Sequence, residues 1–220
     1  MNLNQNSFNS ILQKLFLFEK SPHIAIGVSG GPDSMSLAYL LNNWIKNNNG
    51  TLIAIIIDHQ IRIASGIEAK QVKKNLDKLK IKSKIIKIKK IDIKKKNMLE
   101  ARLNRFREFT KFCHKNSILH LFLAHHHDDN IETFLIRKIA GSNFEGLRSI
   151  KEKIIINNIQ ILRPLLCFKK KALLKINKVH KIDFVSDPSN KNLKYSRVIV
   201  RNFLNNHKEH KLEIEKDFQI

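Results

Sequence analysis

From residue 23 to residue 139 the chain alternates short β-type runs with helical patterns four times, and this rhythm limits the fold more than any other feature. The β-type runs are 23–28, 51–57, 83–88 and 118–124. The second is apolar almost throughout, as in a strand buried on both faces of a parallel sheet. A helical pattern follows each run. The first is opened by Asp33 or Ser34, carries the stripe Met35, Leu37, Ala38, Leu40, Leu41, Trp44 and Ile45, and is stopped by residues 47–50. The others span 66–79 with Val72, Leu76 and Leu79, 99–114 with Phe106, Phe109 and Phe112, and 128–139. Alternation of this kind predicts an α/β protein with a doubly wound parallel sheet.

An amphipathic helix over 8–18 precedes the first run, on the spacing of Phe8, Ile11, Leu12, Leu15 and Phe16. After Gly141 the rhythm changes. Residues 153–162 read as a hairpin or a lone strand, with Asn157-Asn158 as the turn. Helices are predicted over 168–181 and 195–206, the second after the turn Asp187-Pro188-Ser189-Asn190. The expected organisation is an N-terminal helix (1–20), a core (21–150), a short helical C-terminal extension of the same domain (151–206), and a charged tail (207–220) that frays.

The longest apolar run, Ile53 to Ile57, is far short of the ~20 residues a membrane helix needs. The N-terminus lacks the basic start and apolar stretch of a signal peptide. A cytoplasmic protein with no membrane partner is the expectation. Only Cys113 and Cys167 are present, without a C-x-x-C, so a disulfide framework, a zinc ribbon and a cysteine-held iron–sulfur cluster are poorly supported. The net charge of +22 points to a polyanionic partner such as nucleic acid. Abundant lysine, asparagine and isoleucine also fit an AT-rich genome, which would place part of that charge on a merely solvated surface; the lysine run from Lys70 to Lys96 is read so.

Chemistry concentrates in two places. Ser29-Gly30-Gly31-Pro32-Asp33-Ser34 follows a buried strand and opens a helix. Two glycines allow a sharp turn, the helix N-terminus supplies positive potential, and two hydroxyls add donors, which together make a phosphate cradle. It is neither G-x-x-x-x-G-K-[ST] nor G-x-G-x-x-G. An ordinary βα turn is the plain alternative. The second place is His125 to Thr133, at the same edge of the sheet, with His125, His126, His127, Asp128, Asp129 and Glu132. Asp128 and Glu132, four apart, share a helix face beside Asp129, a set able to bind Mg²⁺ or a substrate ammonium. Histidines there can orient phosphates or shuttle protons. Zinc is the rival, though H-E-x-x-H is unmatched, and an acidic N-cap is the plain alternative. In a chain dominated by lysine, Arg62, Arg102, Arg105, Arg197 and Arg201 are candidates for bidentate grip on phosphate, against surface salt bridging.

In order, these segments resemble the N-type ATP pyrophosphatases, the PP-loop family, and within them the tRNA(Ile)-lysidine synthetases, over about residues 20–205. The S-G-G-x-D-S element is Ser29 to Ser34. Ile57-Asp58-His59-Gln60-Ile61-Arg62, with Ser65 and Glu68, is similar to H-V-D-H-G-L-R, and Ala101-Arg102-Leu103-Asn104-Arg105-Phe106 to A-R-x-x-R-[YF]. His125, His126, Asp128, Asp129, Glu132 and Thr133 match H-H-x-D-D-x-x-E-T. Gly141-Ser142, Gly146-Leu147, Arg163-Pro164-Leu165-Leu166 and Asp187 to Asn190 complete the series.

The resemblance implies an adenine-nucleotide alpha-hydrolase-like, Rossmann-like fold and a two-step ligase. ATP, the co-substrate, adenylylates the wobble cytidine of a CAU-anticodon tRNA(Ile); free L-lysine then displaces AMP to give lysidine. It implies that Ser29, Gly30, Gly31, Pro32, Asp33 and Ser34 hold ATP, and that Asp33 and Asp129 help place Mg²⁺. Arg62, Arg102, Arg105, Asp128, Asp129 and Glu132 are the implied substrate-binding residues, and Asp33, Arg102, His126, Asp129 and Glu132 the catalytic ones. Gln60 stands where the family usually has glycine, and Val198 where it often has asparagine. Many relatives continue into further tRNA-gripping domains, so tRNA recognition is expected to fall to this domain, its basic surface or a second subunit, as in a homodimer. The competing readings are a tRNA 2-thiolation enzyme, which would want paired cysteines, an ATP-dependent synthetase of a small metabolite, which would not need the charge, and an inactive RNA-binding module of the same fold.

Overall fold

A computed structural model describes residues 2–60, 65–88, 98–143, 145–148, 150–185 and 196–219. The turn predicted at Asp187 to Asn190 lies outside these residues, as does Arg62. The elements run α1 (Gln5–Leu15), β1 (His23–Gly27), α2 (Pro32–Lys46), β2 (Thr51–Asp58), α3 (Ser65–Lys78), β3 (Lys82–Lys87), α4 (Met98–Lys115), β4 (His120–Phe122), α5 (His127–Ile139), β5 (Lys153–Ile156), β6 (Ile159–Leu162), α6 (Lys170–Val179), α7 (Ser196–Asn206) and α8 (Lys208–Gln219).

The strands form one sheet in the order β3-β2-β1-β4-β6-β5, parallel except for the β5–β6 hairpin at one edge. That hairpin turns on Asn157 and Asn158, both at positive φ (47° and 58°), as a two-residue turn between twisted strands requires. One face of the sheet is covered by α1, α2, α3 and α6, around Phe8, Leu12, Met35, Leu41, Val72 and Leu173. The other is covered by α4, through Phe109 and Cys113. All seven residues of the stripe predicted for α2 are buried. Strand order reverses between β1 and β4, so the loops leaving their C-terminal ends face one crevice, where open α/β sheets bind ligands.

The differences from expectation have local causes. Helix α1 starts earlier because Asn4 caps it, its Oδ1 accepting from the Ser7 N–H at 2.9 Å. It ends at Leu15, since Phe16 turns extended and Phe18 packs against Trp44 and Phe122. Strand β4 is short because Ile118 donates back to the Cys113 carbonyl, closing the end of α4. The tail does not fray: residues 208–219 form α8, which packs Ile214 and Phe218 against the Ile131, Val200 and Leu204 cluster of α5 and α7. Among the described residues no helix is long and apolar enough to cross a membrane.

Candidate active site

Gly30 sits at φ +88°, and a Cβ there would lie 2.2 Å from Val72 Cγ2, so glycine is required twice over. Gly31 is different: its Cβ would meet only Ser29 Oγ, at 3.7 Å, so the protein itself leaves that space open for a ligand's approach. Gly31 is the N-cap of α2 and Pro32 follows in its first turn, an arrangement that costs no backbone donor. Ser34 Oγ donates to the Gly31 carbonyl at 3.0 Å and lies 3.3 Å from Ser29 Oγ. The six residues thus form a loop tied together by its own hydroxyls at the N-terminus of α2, the helix end that favours anions.

His126 links this loop to the second cluster. It is the N-cap of α5 and is 2% exposed. Its Nε2 lies 3.5 Å from Asp33 Oδ2 and 3.6 Å from Asp129 Oδ2, and its Nδ1 lies 3.8 Å from Asp128 Oδ2. Asp129 Oδ2 also accepts from the His126 N–H at 3.0 Å. Burial alone would lower the His126 pKa, but the hydrogen bond its ring donates to Asp33 and the charges of Asp129, Asp33 and Asp128 raise it. Burial would raise Asp33, but His126, then Lys170 and Arg201, hold it below the usual range. The stabilisation from His126 is therefore complete below 6.5 and lost as pH rises through its higher folded value. That from Asp33 is present above 3.8 and lost as pH falls through its lower folded value. In buffer free of divalent cations, the gap in Tm between the wild type and His126→Asn should be widest between 3.8 and 6.5 and narrow above it. A gap that ignores pH in a series of thermal melts would contradict this coupling.

Asp128 and Glu132 do share a face of α5, but each already has partners. Asp128 Oδ2 accepts from the Lys170 N–H at 2.7 Å, and Oδ1 from Lys211 Nζ of α8 at 2.8 Å. Burial opposes ionisation of Asp128, yet these donors bring its pKa down to about 2. Glu132, 3% exposed, receives Arg201 in a fork, Nε to Oε1 at 2.6 Å and Nη2 to Oε2 at 3.0 Å, with Arg197 Nε at 3.5 Å. A cavity of about 150 Å³ opens between them, lined by Asp128, Glu132, Lys170, Arg201 and Lys211.

A cationic wall completes the crevice. Arg102 lies over the Phe106 ring at 5.8 Å. Burial lowers the pKa of both Arg102 and Arg105, with Arg197 a further cause for each. His59 is lowered by burial and then by Arg105, against the pull of Asp58. Gln60, at the position where the resembling family usually has glycine, adopts φ +52° with its N–H on Asp58 Oδ1 at 2.9 Å. The left-handed backbone that glycine favours is kept there by a non-glycine residue. Sequence reasoning missed Arg163, Lys170 and Lys211 as site residues. Arg163 carried a signal in its R-P-L-L segment; the two lysines carried none among so many.

No group of three or more His, Cys, Asp and Glu side chains among the described residues is disposed to hold a metal ion. Asp33 Oδ1 is nevertheless buried without a partner. One or two carboxylates plus substrate phosphates are the usual Mg²⁺ ligand set, so Asp33 with Asp129 fits a cation that arrives with a nucleotide.

Residues 3–208 match the family model of the ATP-binding PP-loop domain. The chain belongs to the PP-loop family. Among curated PP-loop relatives, the tRNA(Ile)-lysidine synthase of Wolbachia pipientis wMel is 40% identical over 183 residues, covering 82% of this chain and 42% of the relative. That of Orientia tsutsugamushi (strain Boryong) is 34% identical over 204 residues, 93% of this chain and 46% of the relative. The chain thus spans under half the length of these curated relatives. Among solved structures, the U34-tRNA thiolase NcsA of Methanococcus maripaludis superposes with a TM-score of 0.78 at 19% identity, over 97% of this chain and 78% of that one. The NMN synthetase of Francisella tularensis gives 0.53 at 12% identity, over 93% and 87%. At such identities the two structures speak for the fold alone.

Proposed function

We propose that this PP-loop domain carries out lysidine synthesis: ATP-dependent adenylylation of the wobble cytidine of CAU-anticodon tRNA(Ile), then attack by free L-lysine. In the first step the cytidine O2 forms a bond to the α-phosphorus of ATP and the bond to pyrophosphate breaks. In the second the ε-nitrogen of lysine, having lost a proton, forms a bond to C2, and the C2–O bond breaks to release AMP. The loop Ser29 to Ser34 holds the pyrophosphate end of ATP. A Mg²⁺ shared by Asp33 and Asp129 would neutralise charge on the phosphates. Arg102, an exposed residue, and Arg105, half-buried, face the negative charge that develops at the α-phosphate, which positioned cationic donors stabilise.

The observation that carries this reading is the company kept by Asp128. Its carboxylate already holds a lysine ε-ammonium, that of Lys211, and is joined through His126 to Asp33 of the ATP loop. Nucleotide site and ammonium site are therefore neighbours in one crevice. Glu132 is engaged by Arg201, so in this proposal the ammonium of the substrate goes to Asp128, and Glu132 positions Arg201 from behind. The names of the relatives in Wolbachia and Orientia support the same substrates.

The test is transfer of labelled lysine to a CAU-anticodon tRNA(Ile) transcript with ATP and Mg²⁺. No transfer in any condition, with ATP–pyrophosphate exchange intact, would discard the lysidine reading and leave another PP-loop chemistry. A second expectation concerns Lys211, which occupies the place assigned to the substrate ammonium. Lys211→Ala should lower the KM for lysine by about 2–5-fold, the worth of a partly exposed ion pair, with kcat unchanged. An unchanged or raised KM in steady-state kinetics would show that Lys211 does not compete with substrate.

A further inference from the structure

Arg163 is 2% exposed, yet among the described residues no carboxylate pairs with it. Its Nη1 donates to the Lys151 carbonyl at 2.8 Å, and its Nε is buried with no partner. Burial first, and then the charge of Arg102, push its pKa down to about 10. A buried cation with no counter-charge is costly, and folds retain one chiefly where an anion will meet it. The side chain is also held in place. Pro164 restricts the backbone of Arg163 to extended conformations, and its N–H is fixed on the Glu152 carbonyl at 2.8 Å.

Leu123 N–H donates to the Leu162 carbonyl at 2.9 Å, joining the C-terminal ends of β4 and β6. Arg163 is the next residue on one strand, and His125 lies two residues on along the other. The Nδ1 of His125 is likewise buried without a partner. The charges of Arg163, Arg105 and Arg102 all act on His125, opposed by that of Asp129. Two partnerless polar atoms thus stand at one sheet edge, one of them on Arg163 itself, and the charge of Arg102 acts on both side chains.

We infer that Arg163 and His125 form the floor of a buried phosphoryl-oxyanion site, roofed by Arg102 and Arg105 and separate from the Ser29 to Ser34 loop. Several cations favour a multiply charged phosphate over a carboxylate, and a rigid guanidinium fork suits its oxygens. If the proposed function holds, that phosphate is either the α-phosphate retained in AMP or one of the tRNA backbone. The first arm of the test requires neither assignment.

Calorimetric titration with inorganic phosphate is compared in the wild type, Arg163→Met and Arg163→Lys, alongside melts of each. In the wild type, phosphate at ~100 times its Kd should raise Tm by roughly 5–10 °C. Arg163→Met should melt no lower than the wild type without ligand, because it removes an uncompensated buried charge, and should bind phosphate about 30-fold more weakly or worse. Arg163→Lys, which keeps the charge but not the fork, should fall between them. A purely structural arginine would give the reverse, a lower Tm with unchanged phosphate affinity, and that result overturns the inference. In the second arm, AMP and tRNA transcript are titrated separately. The ligand whose affinity falls in Arg163→Met is the source of the phosphate, and equal affinity for phosphate, AMP and tRNA in all three proteins also overturns it. Failed lysine transfer with an intact phosphate result would discard the lysidine reading and leave this site standing.

Discussion

Asp33→Ala is expected to abolish ATP–pyrophosphate exchange, by about 10²–10³-fold in rate, while tRNA binding persists. The carboxylate sits in the first turn of α2 with one oxygen on His126 and the other buried and free. It thus lies in the phosphate loop and touches the α5 cluster. Losing it removes an anchor for a nucleotide-borne cation and a carboxylate 3.5 Å from the buried His126 ring. Asp33→Asn is the sharper variant because it keeps the shape and removes the charge. Full exchange of labelled pyrophosphate in Asp33→Asn would remove the loop's assigned role. Loss of exchange together with loss of tRNA binding would point instead to a collapsed crevice.

The parts of this site that the sequence made legible are those set by local pattern. A buried run ending in Ser29-Gly30-Gly31-Pro32 can only leave a strand and enter a helix, and the step from Leu121 to Asp128 repeats that grammar. Two such units in a parallel sheet put their loops at the same edge, so Asp33 and His126 meet even though 93 residues separate them. What pattern cannot show is which charges pair. Glu132 reads as free for a substrate when seen beside Asp128 and Asp129, and only the approach of α7 commits it to Arg201. Helix α8 was illegible for a related reason. Its partly buried apolar stripe is little more than Ile214 and Phe218, too faint to announce a docked helix, although Lys169 also holds Glu215 at 2.8 Å. Arg163 was visible as a motif letter, but its burial without a counter-charge follows only from the close pairing of β4 and β6.

The second large effect concerns the Glu132–Arg201 pair. Arg201→Met should destabilise the fold by about 3–5 kcal/mol, because it strands a carboxylate that is 3% exposed. For a chain of this size that is a fall in Tm of roughly 6–20 °C. Arg197, with its Nε at 3.5 Å from the same carboxylate, should keep the cost toward the low end of that range. Glu132→Met alone should cost less, since Arg201 is 27% exposed and can turn to water. The double variant Glu132→Met with Arg201→Met should recover most of the loss, as replacement of a buried ion pair by apolar side chains often does. Chemical denaturation of the four proteins in a double-mutant cycle measures the coupling. Lysine transfer supplies the other axis. If the pair merely holds α7 on α5, activity should return with stability in the double variant. If Glu132 positions Arg201 beside the Asp128 cavity, activity stays lost while the fold is restored, and that split is the outcome expected here.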